Sequence, residues 1–233
     1  MRRLVSLWQH SVSLLFPAVC VGCKAFLKNS VHPGVCTVCD AGWEDNNGTR
    51  CEVCDIPVHA VKRCVECVQK NPAFDSLRAP WLYGGTLAHM VQACKFGPHE
   101  GHAQVLGRRL AHRVLKNPAW GSCTVQPVPL SRLSRYERGF NQSAVMALEI
   151  TRVWGVPVLR TLTRVRETGR QSLLNKEQRQ TNMQGAFVSK PISGTVVLVD
   201  DVVTTGSTVH EAAQALKQAG AQGVHVLALA RVE

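Results

Sequence analysis

Val196-Val197-Leu198-Val199-Asp200-Asp201-Val202-Val203-Thr204-Thr205-Gly206-Ser207-Thr208 decides how this chain folds. Thr195–Val199 is a run of apolar or β-branched residues with no polar alternation, the pattern of a strand buried on both faces of a parallel sheet. It delivers two adjacent carboxylates at its C-terminal end, where open α/β sheets bind ligands. A small, hydroxylated turn follows and opens a helix expected over Ser207–Ala219, closed by Gly220. Backbone N–H groups of Thr205 to Thr208 can converge on one phosphate, helped by the helix dipole and by the hydroxyls of Thr204, Thr205, Ser207 and Thr208. Gly206 supplies a backbone shape denied to other residues, or room for a phosphate to approach. Paired carboxylates suit the vicinal diol of a sugar, and they also suit Mg²⁺ held through water. A phosphate and a diol at this separation suggest a ribose 5-phosphate. A helix cap explains one Asp or one Ser, but not two acids followed by Thr-Thr-Gly-Ser-Thr. There is no Gly-Lys pair of an NTPase loop and no G-x-G-x-x-G after a strand.

Strand and helix patterns alternate on either side of this stretch. Thr86–Phe96 and His102–Leu115 have helical spacing, Thr124–Val128 reads as a strand, Gln142–Val153 as a helix and Val156–Leu159 as a short strand. Arg160–Gln184 is polar and basic and suits a long loop, and Val224–Leu229 is a last strand. The expectation is an α/β domain over 79–233, a mainly parallel sheet flanked by helices. Residues 18–78 form a different module that cannot bury a core of its own. Residues 1–17, with Leu4, Leu7, Trp8, Val12 and Leu15 on one face, read as an amphipathic helix; Gln9, His10, Ser11 and Ser13 break the apolar run that a signal peptide needs. No run approaches the roughly 20 apolar residues of a membrane span. The expected location is the cytoplasm.

The 18–78 module carries four C-x-x-C pairs: Cys20/Cys23, Cys36/Cys39, Cys51/Cys54 and Cys64/Cys67. Two residues between cysteines let one tight turn aim both sulfurs at a tetrahedral ion, and two such turns complete a closed structural zinc site. Two Zn²⁺ sites are expected. Sequential pairing joins the first pair with the second and the third with the fourth; a cross-braced arrangement is the alternative. A disulfide framework would require an oxidising compartment, for which no export signal speaks. Cys94 and Cys123, in apolar context, read as buried small hydrophobes. His32 and His59 fall out of step with the ligand spacing.

The 233 residues include 27 Lys and Arg against 16 Asp and Glu, a formal +11, with 45% apolar content that excludes intrinsic disorder. Eight thiolates around two divalent ions would bring the charge to +7. Residues 1–78 carry a formal +2 and residues 79–233 a formal +9, so a phosphate-rich partner belongs to the second region.

The acids followed by T-G-x-T resemble the signature of type I phosphoribosyltransferases, and three further segments narrow the resemblance to the ComF family. Val128-Pro129-Leu130 with Arg132, Arg135 and Arg138-Gly139-Phe140-Asn141-Gln142-Ser143 is similar to its V-P-L…R…R-G-F-N-Q segment. Leu162, Arg164, Arg166, Thr168, Gln171, Leu174, Arg179, Asn182 and Ala186-Phe187 resemble its L-x-R-x-R-x-T-x-x-Q…R-x-x-N…A-F pattern. Lys95-Phe96 resembles its K-F/Y pair, and the cysteine pairs its double zinc ribbon. Ser131 departs from the pattern, standing where the family often has His.

The resemblance implies a phosphoribosyltransferase that binds phosphoribosyl pyrophosphate with Mg²⁺. Asp200 and Asp201 would contact the ribose hydroxyls and Thr204, Thr205, Gly206, Ser207 and Thr208 the 5-phosphate. Lys95, Arg132 and Arg138 would meet the pyrophosphate, and Arg164, in a loop running to Gln171, would close over it as part of the catalytic set with the two acids. Such a reaction is driven by positioning and charge stabilisation around a cation-like ribose. The family is associated with natural competence and with DNA uptake and utilisation. The basic balance suits a nucleic-acid backbone, with Arg135, Arg166 and Arg170 as contacts and Trp43 or Trp81 available to stack on bases if they are not core residues. Three readings stand: a phosphoribosyltransferase acting on a base or nucleotide, a single-stranded DNA-binding factor whose phosphoribosyl site is a sensor, and a zinc-module adaptor for a DNA-uptake helicase.

Overall fold

The buried run at Thr195 is the centre strand of a parallel sheet. In the computed structural model, residues 19–20, 22–27, 35–96, 100–114, 122–167 and 183–232 are described. The expected N-terminal helix over 1–17, His32 and the whole 168–182 segment with Arg170 lie outside them. The elements in chain order are α1 (Thr37–Ala41), α2 (Val65–Lys70), β1 (Ser76–Arg78), β2 (Trp81–Leu82), α3 (Gly85–Phe96), α4 (Glu100–Val114), β3 (Cys123–Pro127), α5 (Arg132–Arg138), α6 (Gln142–Trp154), β4 (Leu162–Arg164), β5 (Phe187–Ser189), β6 (Thr195–Val203), α7 (Ser207–Gln218) and β7 (Gly223–Arg231).

β6 lies between β3 and β7, and the far edge of β7 takes β1 and then β2, all parallel. Alternate residues separate the two faces, as the strand period of two requires. Val197, Val199, Leu227 and Leu229 face a core with Met90, Leu106, Met146 and Ile150 of α3, α4 and α6. Val196, Leu198, Val224 and Val226 face the opposite core, with Val209, Ala212 and Leu216 of α7. Each such Leu or Val contributes roughly 1.5–3 kcal/mol relative to exposure, so the central strands hold the fold.

α4 and α6 approach closely because Gly107 has no side chain: a Cβ there would stand 2.7 Å from Met146 Cα. Beside that contact the buried Glu149 accepts from Arg108 Nε at 2.6 Å and also pairs with Arg152.

Apart from the short α1, α2, α5 and β2, which the sequence patterns do not show, the expectations differ from the structure in four places. β6 runs on through both acids to Val203, because Asp200, Val202 and Val203 stay in register with Ala228, Ala230 and Arg231 of β7. Val156–Leu159 makes only a parallel bridge at Val158, since Pro157 has no N–H to extend the ladder. The basic segment is not a plain loop: β4 pairs antiparallel with β5. Finally, the sheet takes in Ser76–Arg78, from the end of the cysteine-rich stretch. No helix among the described residues is long and apolar enough to cross a membrane.

Candidate ligand site and metal centres

A cavity of about 270 Å³ opens at the C-terminal ends of β3 and β6. Its walls include Asp200, Asp201 and Thr204–Thr208, with Lys95 from the end of α3, Arg138 from the end of α5 and Arg164 from β4. The segment between α5 and α6 positions much of this wall. Gly139 (φ 76°) ends α5 in the left-handed conformation, its N–H donating to Arg135 O. Phe140 anchors in the core, and Asn141 caps α6, its Oδ1 accepting from the Ser143 N–H at 3.0 Å. The first turn of α6 then faces the acids: Gln142 Nε2 donates to Asp201 Oδ2 at 3.1 Å, and Ser143 Oγ donates to Asp200 Oδ1 at 3.1 Å.

The charges in the cavity are unevenly matched. Lys95 Nζ lies 3.1 Å from Asp201 Oδ2. Burial works against the Lys95 ammonium, but Asp201, backed by Asp200, outweighs it and raises its pKa. Burial and the neighbouring Asp201 charge push Asp200 up to about 7, against the pull of Lys95 and Ser143. Burial lowers the Arg164 pKa, while Glu167 and Asp200 favour its charge. Gln142 Oε1 is buried with no hydrogen-bond partner among the described residues, on a side chain that lines the cavity.

At the other end, α7 begins at Gly206 (φ 79°), which has no side chain to cap the helix, and Ser207 N donates to Thr205 Oγ1 at 3.4 Å. Thr205 Oγ1 and Ser207 Oγ lie 2.9 Å apart, and Thr204 is exposed. A helix start capped by glycine and flanked by hydroxyls suits an anion.

The arginines divide. Arg132 is exposed and does not line the cavity; its backbone N–H donates to Glu167 Oε1 at 2.7 Å. Arg135 is exposed on α5. Arg166 Nη1 donates to Gln184 O at 2.6 Å, pinning the base of the basic segment. Ser131, the departure from the family pattern, caps α5, accepting from Ser134 N at 3.1 Å. Trp43 and Trp81 are core residues and offer no face to a base. Their rings meet edge to face at 5.0 Å, and the Arg109 guanidinium sits 4.0 Å from the Trp43 centroid. Gln142, Ser143, Tyr83 and Glu167 were not among the expected contacts. A capping Asn followed by two polar residues, opening a helix beside the acid-bearing strand, was the signal available for the first two.

The eight paired cysteines gather sequentially: Cys20, Cys23, Cys36 and Cys39 in one group, Cys51, Cys54, Cys64 and Cys67 in another, with the sulfurs of each group within 4.8 Å of one another. All ten cysteines are free. The two groups repeat one design. Cys36 and Cys64 are N-caps of α1 and α2, their sulfurs accepting from Cys39 N and Cys67 N at 3.4 Å. Cys20 and Cys51 accept from Cys36 N and Cys64 N at 3.4 and 3.3 Å. Lys24 (φ 63°) and Asp55 (φ 62°), each following a second cysteine, share the left-handed turn. Sulfur pairs stand 3.6 Å apart in both groups, near the roughly 3.8 Å edge of a tetrahedron with Zn–S bonds of about 2.3 Å.

Ionisation within each group is in conflict. Burial opposes the Cys20 thiolate, yet the N–H groups of Cys36, Cys23 and Gly22 bring it down to about 6, while burial and the neighbouring sulfurs push Cys39 far up. In the second group Cys51 falls to about 7 despite burial, helped by the Cys54 and Cys64 N–H groups, and burial raises Cys54 to about 11. A cation at the centre resolves the conflict by favouring all four thiolates. Both groups therefore fit a zinc ion with a closed shell. Cys94, by contrast, is buried alone, and burial pushes it up to about 12. His59 is exposed and in neither group.

Sequence comparison finds relatives over most of the chain. The phosphoribosyl transferase domain model matches residues 141–233. The DNA utilization protein YhgH of Escherichia coli K12 is 33% identical over 229 residues, covering 94% of this chain and 99% of its own. Competence protein F of Haemophilus influenzae is 29% identical, covering 91% and 96%. Among solved structures, orotate phosphoribosyltransferase from Aeropyrum pernix overlaps 62% of this chain and 76% of its own at 20% identity, with a TM-score of 0.33. With both cysteine groups, the paired acids and the R-G-F-N-Q-S segment in place, this chain belongs to the ComF family.

Proposed function

We propose that the chain binds phosphoribosyl pyrophosphate with Mg²⁺ in the cavity at the end of β6 and transfers the phosphoribosyl group to an acceptor, releasing pyrophosphate. One observation carries this reading: a single cavity joins a glycine-capped, hydroxyl-rich helix start, two carboxylates and three cationic side chains from α3, α5 and β4. Thr205–Thr208 would hold the 5-phosphate. Asp200 and Asp201 would accept from the ribose hydroxyls, with Gln142 and Ser143 orienting them. Lys95, Arg138 and Arg164 would receive the pyrophosphate and the charge that grows on it as its bond to the sugar breaks. The acids fit Mg²⁺ through water, and the ion would help neutralise the diphosphate. Arg132 is better placed at the rim. Relatives named for DNA utilization and competence support a setting in which the acceptor derives from internalised DNA. Two zinc-held groups suit a reducing compartment such as the cytoplasm.

The test is pyrophosphate release from phosphoribosyl pyrophosphate in the presence of nucleobases, nucleosides and single-stranded oligonucleotides. Arg164→Ala is expected to slow release about 100-fold or more. Release equal to wild type would remove Arg164 from the catalytic set.

A second reading, single-stranded DNA binding, is favoured by α5. This basic helix buries no residue and leaves Leu133 and Tyr136 exposed beside Arg132 and Arg135. It predicts binding that falls steeply with salt and is weakened by Arg135→Ala; salt-independent binding would refute it.

A further inference from the structure

The second cysteine group leaves negative charge unaccounted for. All four of its residues are buried, whereas the first group has Cys23 exposed and Cys36 half-exposed. A divalent ion with four thiolates carries two net negative charges. Water can solvate such a centre at the first group, but the second must be matched from within the protein.

Arg231, the last residue of β7, is 7% exposed, and its Nε and Nη1 have no hydrogen-bond partner among the described residues. It shares a cavity of about 120 Å³ with Cys54 and Cys67 on one side and Thr205–Ser207 on the other. The neighbouring acids have hydrogen-bond partners of their own, although the buried Asp55 also feels the Arg231 charge. Asp55 accepts from Ala79 N at 2.8 Å and lies 3.7 Å from Arg78 Nη1, and Glu211 accepts from Gly185 N at 2.9 Å. Lys70, the other cation on this cavity, is half-exposed and faces Glu66 at 3.9 Å. A buried guanidinium with unused N–H groups beside a buried dianionic centre meets both needs at once.

Arg231 also stands directly against the ligand loop. It pairs in register with Val203, whose carbonyl accepts from Val232 N at 2.9 Å, and Thr204 follows. We propose that Arg231 is the charge partner of the second metal–thiolate centre and ties the 204–208 loop to the metal held there. The pairing holds whichever ligand occupies that loop. Losing the metal would leave the guanidinium buried and uncompensated at the root of the loop, so anion affinity at the loop depends on occupancy of the second group. By linkage, whatever factor the metal applies to anion affinity the anion applies to metal affinity.

The experiment uses the full chain purified with zinc, with Arg231→Met and Arg231→Lys beside wild type. Zinc release to a chromophoric chelator should show one of two ions weakened about 10- to 100-fold in Arg231→Met and the other unchanged, with Arg231→Lys intermediate. A Cys23→Ser background, which disables the first group, assigns the weakened ion to the second. In the cobalt-substituted protein the thiolate-to-metal absorption band should shift in Arg231→Met and return towards wild type in Arg231→Lys, which restores the charge. Inorganic phosphate, titrated by calorimetry, should bind more weakly to Arg231→Met. Unchanged zinc release, or equal weakening of both ions, would overturn the proposal. Weakened phosphate binding with both zinc affinities intact would overturn it in favour of an anion site in the smaller cavity. Fewer than two zinc ions per chain would overturn it at the outset.

Discussion

Asp200 and Asp201 are neighbours in sequence but not in circumstance. Asp201 has Lys95 and Gln142 on one oxygen, while Asp200 accepts from the Ser143 hydroxyl and the N–H of Asp201 and meets Lys95 at longer range. Asp200 is consequently the acid held up to about 7. A carboxyl whose pKa is raised by folding favours the folded state while protonated, below its ordinary value near 4, and that advantage is lost as pH rises through about 7. Asp200→Asn removes the buried charge without removing the side chain. The ligand-free variant should melt on the order of 2–6 °C above wild type at pH 8, with no difference at pH 4, by scanning calorimetry at both pH values. A variant less stable at pH 8 would show that Asp200 is needed for folding and is not strained by its site. The strain is consistent with an acid that awaits a cationic or hydroxylic ligand.

Short elements carry the specificity of the site, and they were the hardest to read. The strand–turn–helix around Asp200 was legible because an apolar run, an acid pair and a glycine-centred turn all point the same way. α5 was not, because a seven-residue helix that buries nothing has no apolar period, and only Ser131 and Gly139 mark its ends. The R-G-F-N-Q resemblance set Arg138 apart from Arg135, and α5 gives the physical reason, with Arg138 on the cavity wall and Arg135 exposed. The structure makes the distinction testable: Arg138→Ala should weaken pyrophosphate binding about 10- to 100-fold and Arg135→Ala should leave it unchanged, by competition titration. β4 and β5 were hidden for a related reason, three-residue strands in a basic stretch having no periodicity to show. The α4–α6 contact makes a separate prediction. Alanine is the better helix former, yet Gly107→Ala would press a Cβ onto the Met146 backbone and should cost about 1–3 kcal/mol in urea denaturation.

Across the whole molecule, the cysteine stretch straddles the sheet instead of standing apart from it. The first group joins the core of α3, α4 and α6 through Cys20, Cys39 and Trp43, and Arg109 of α4 reaches back to Asp40. The second joins the core of α7 together with Phe74 and Leu77. Four C-x-x-C pairs announce metal in the sequence, but cannot show that each group buttresses a different face; that depends on contacts far apart along the chain. Removing zinc should therefore unsettle the entire fold, lowering the melting temperature by on the order of 10 °C or more, with recovery when zinc is restored. Independent melting of an intact sheet would contradict this packing. The central claim, that the cavity at the end of β6 is a phosphoribosyl pyrophosphate site, is tested most directly by calorimetric titration of the zinc-loaded chain with that ligand and Mg²⁺, beside Asp200→Asn/Asp201→Asn. Saturable binding by wild type that is lost in the double variant is the result expected. A folded, zinc-replete wild type that does not bind, or a double variant that binds equally well, would contradict the claim.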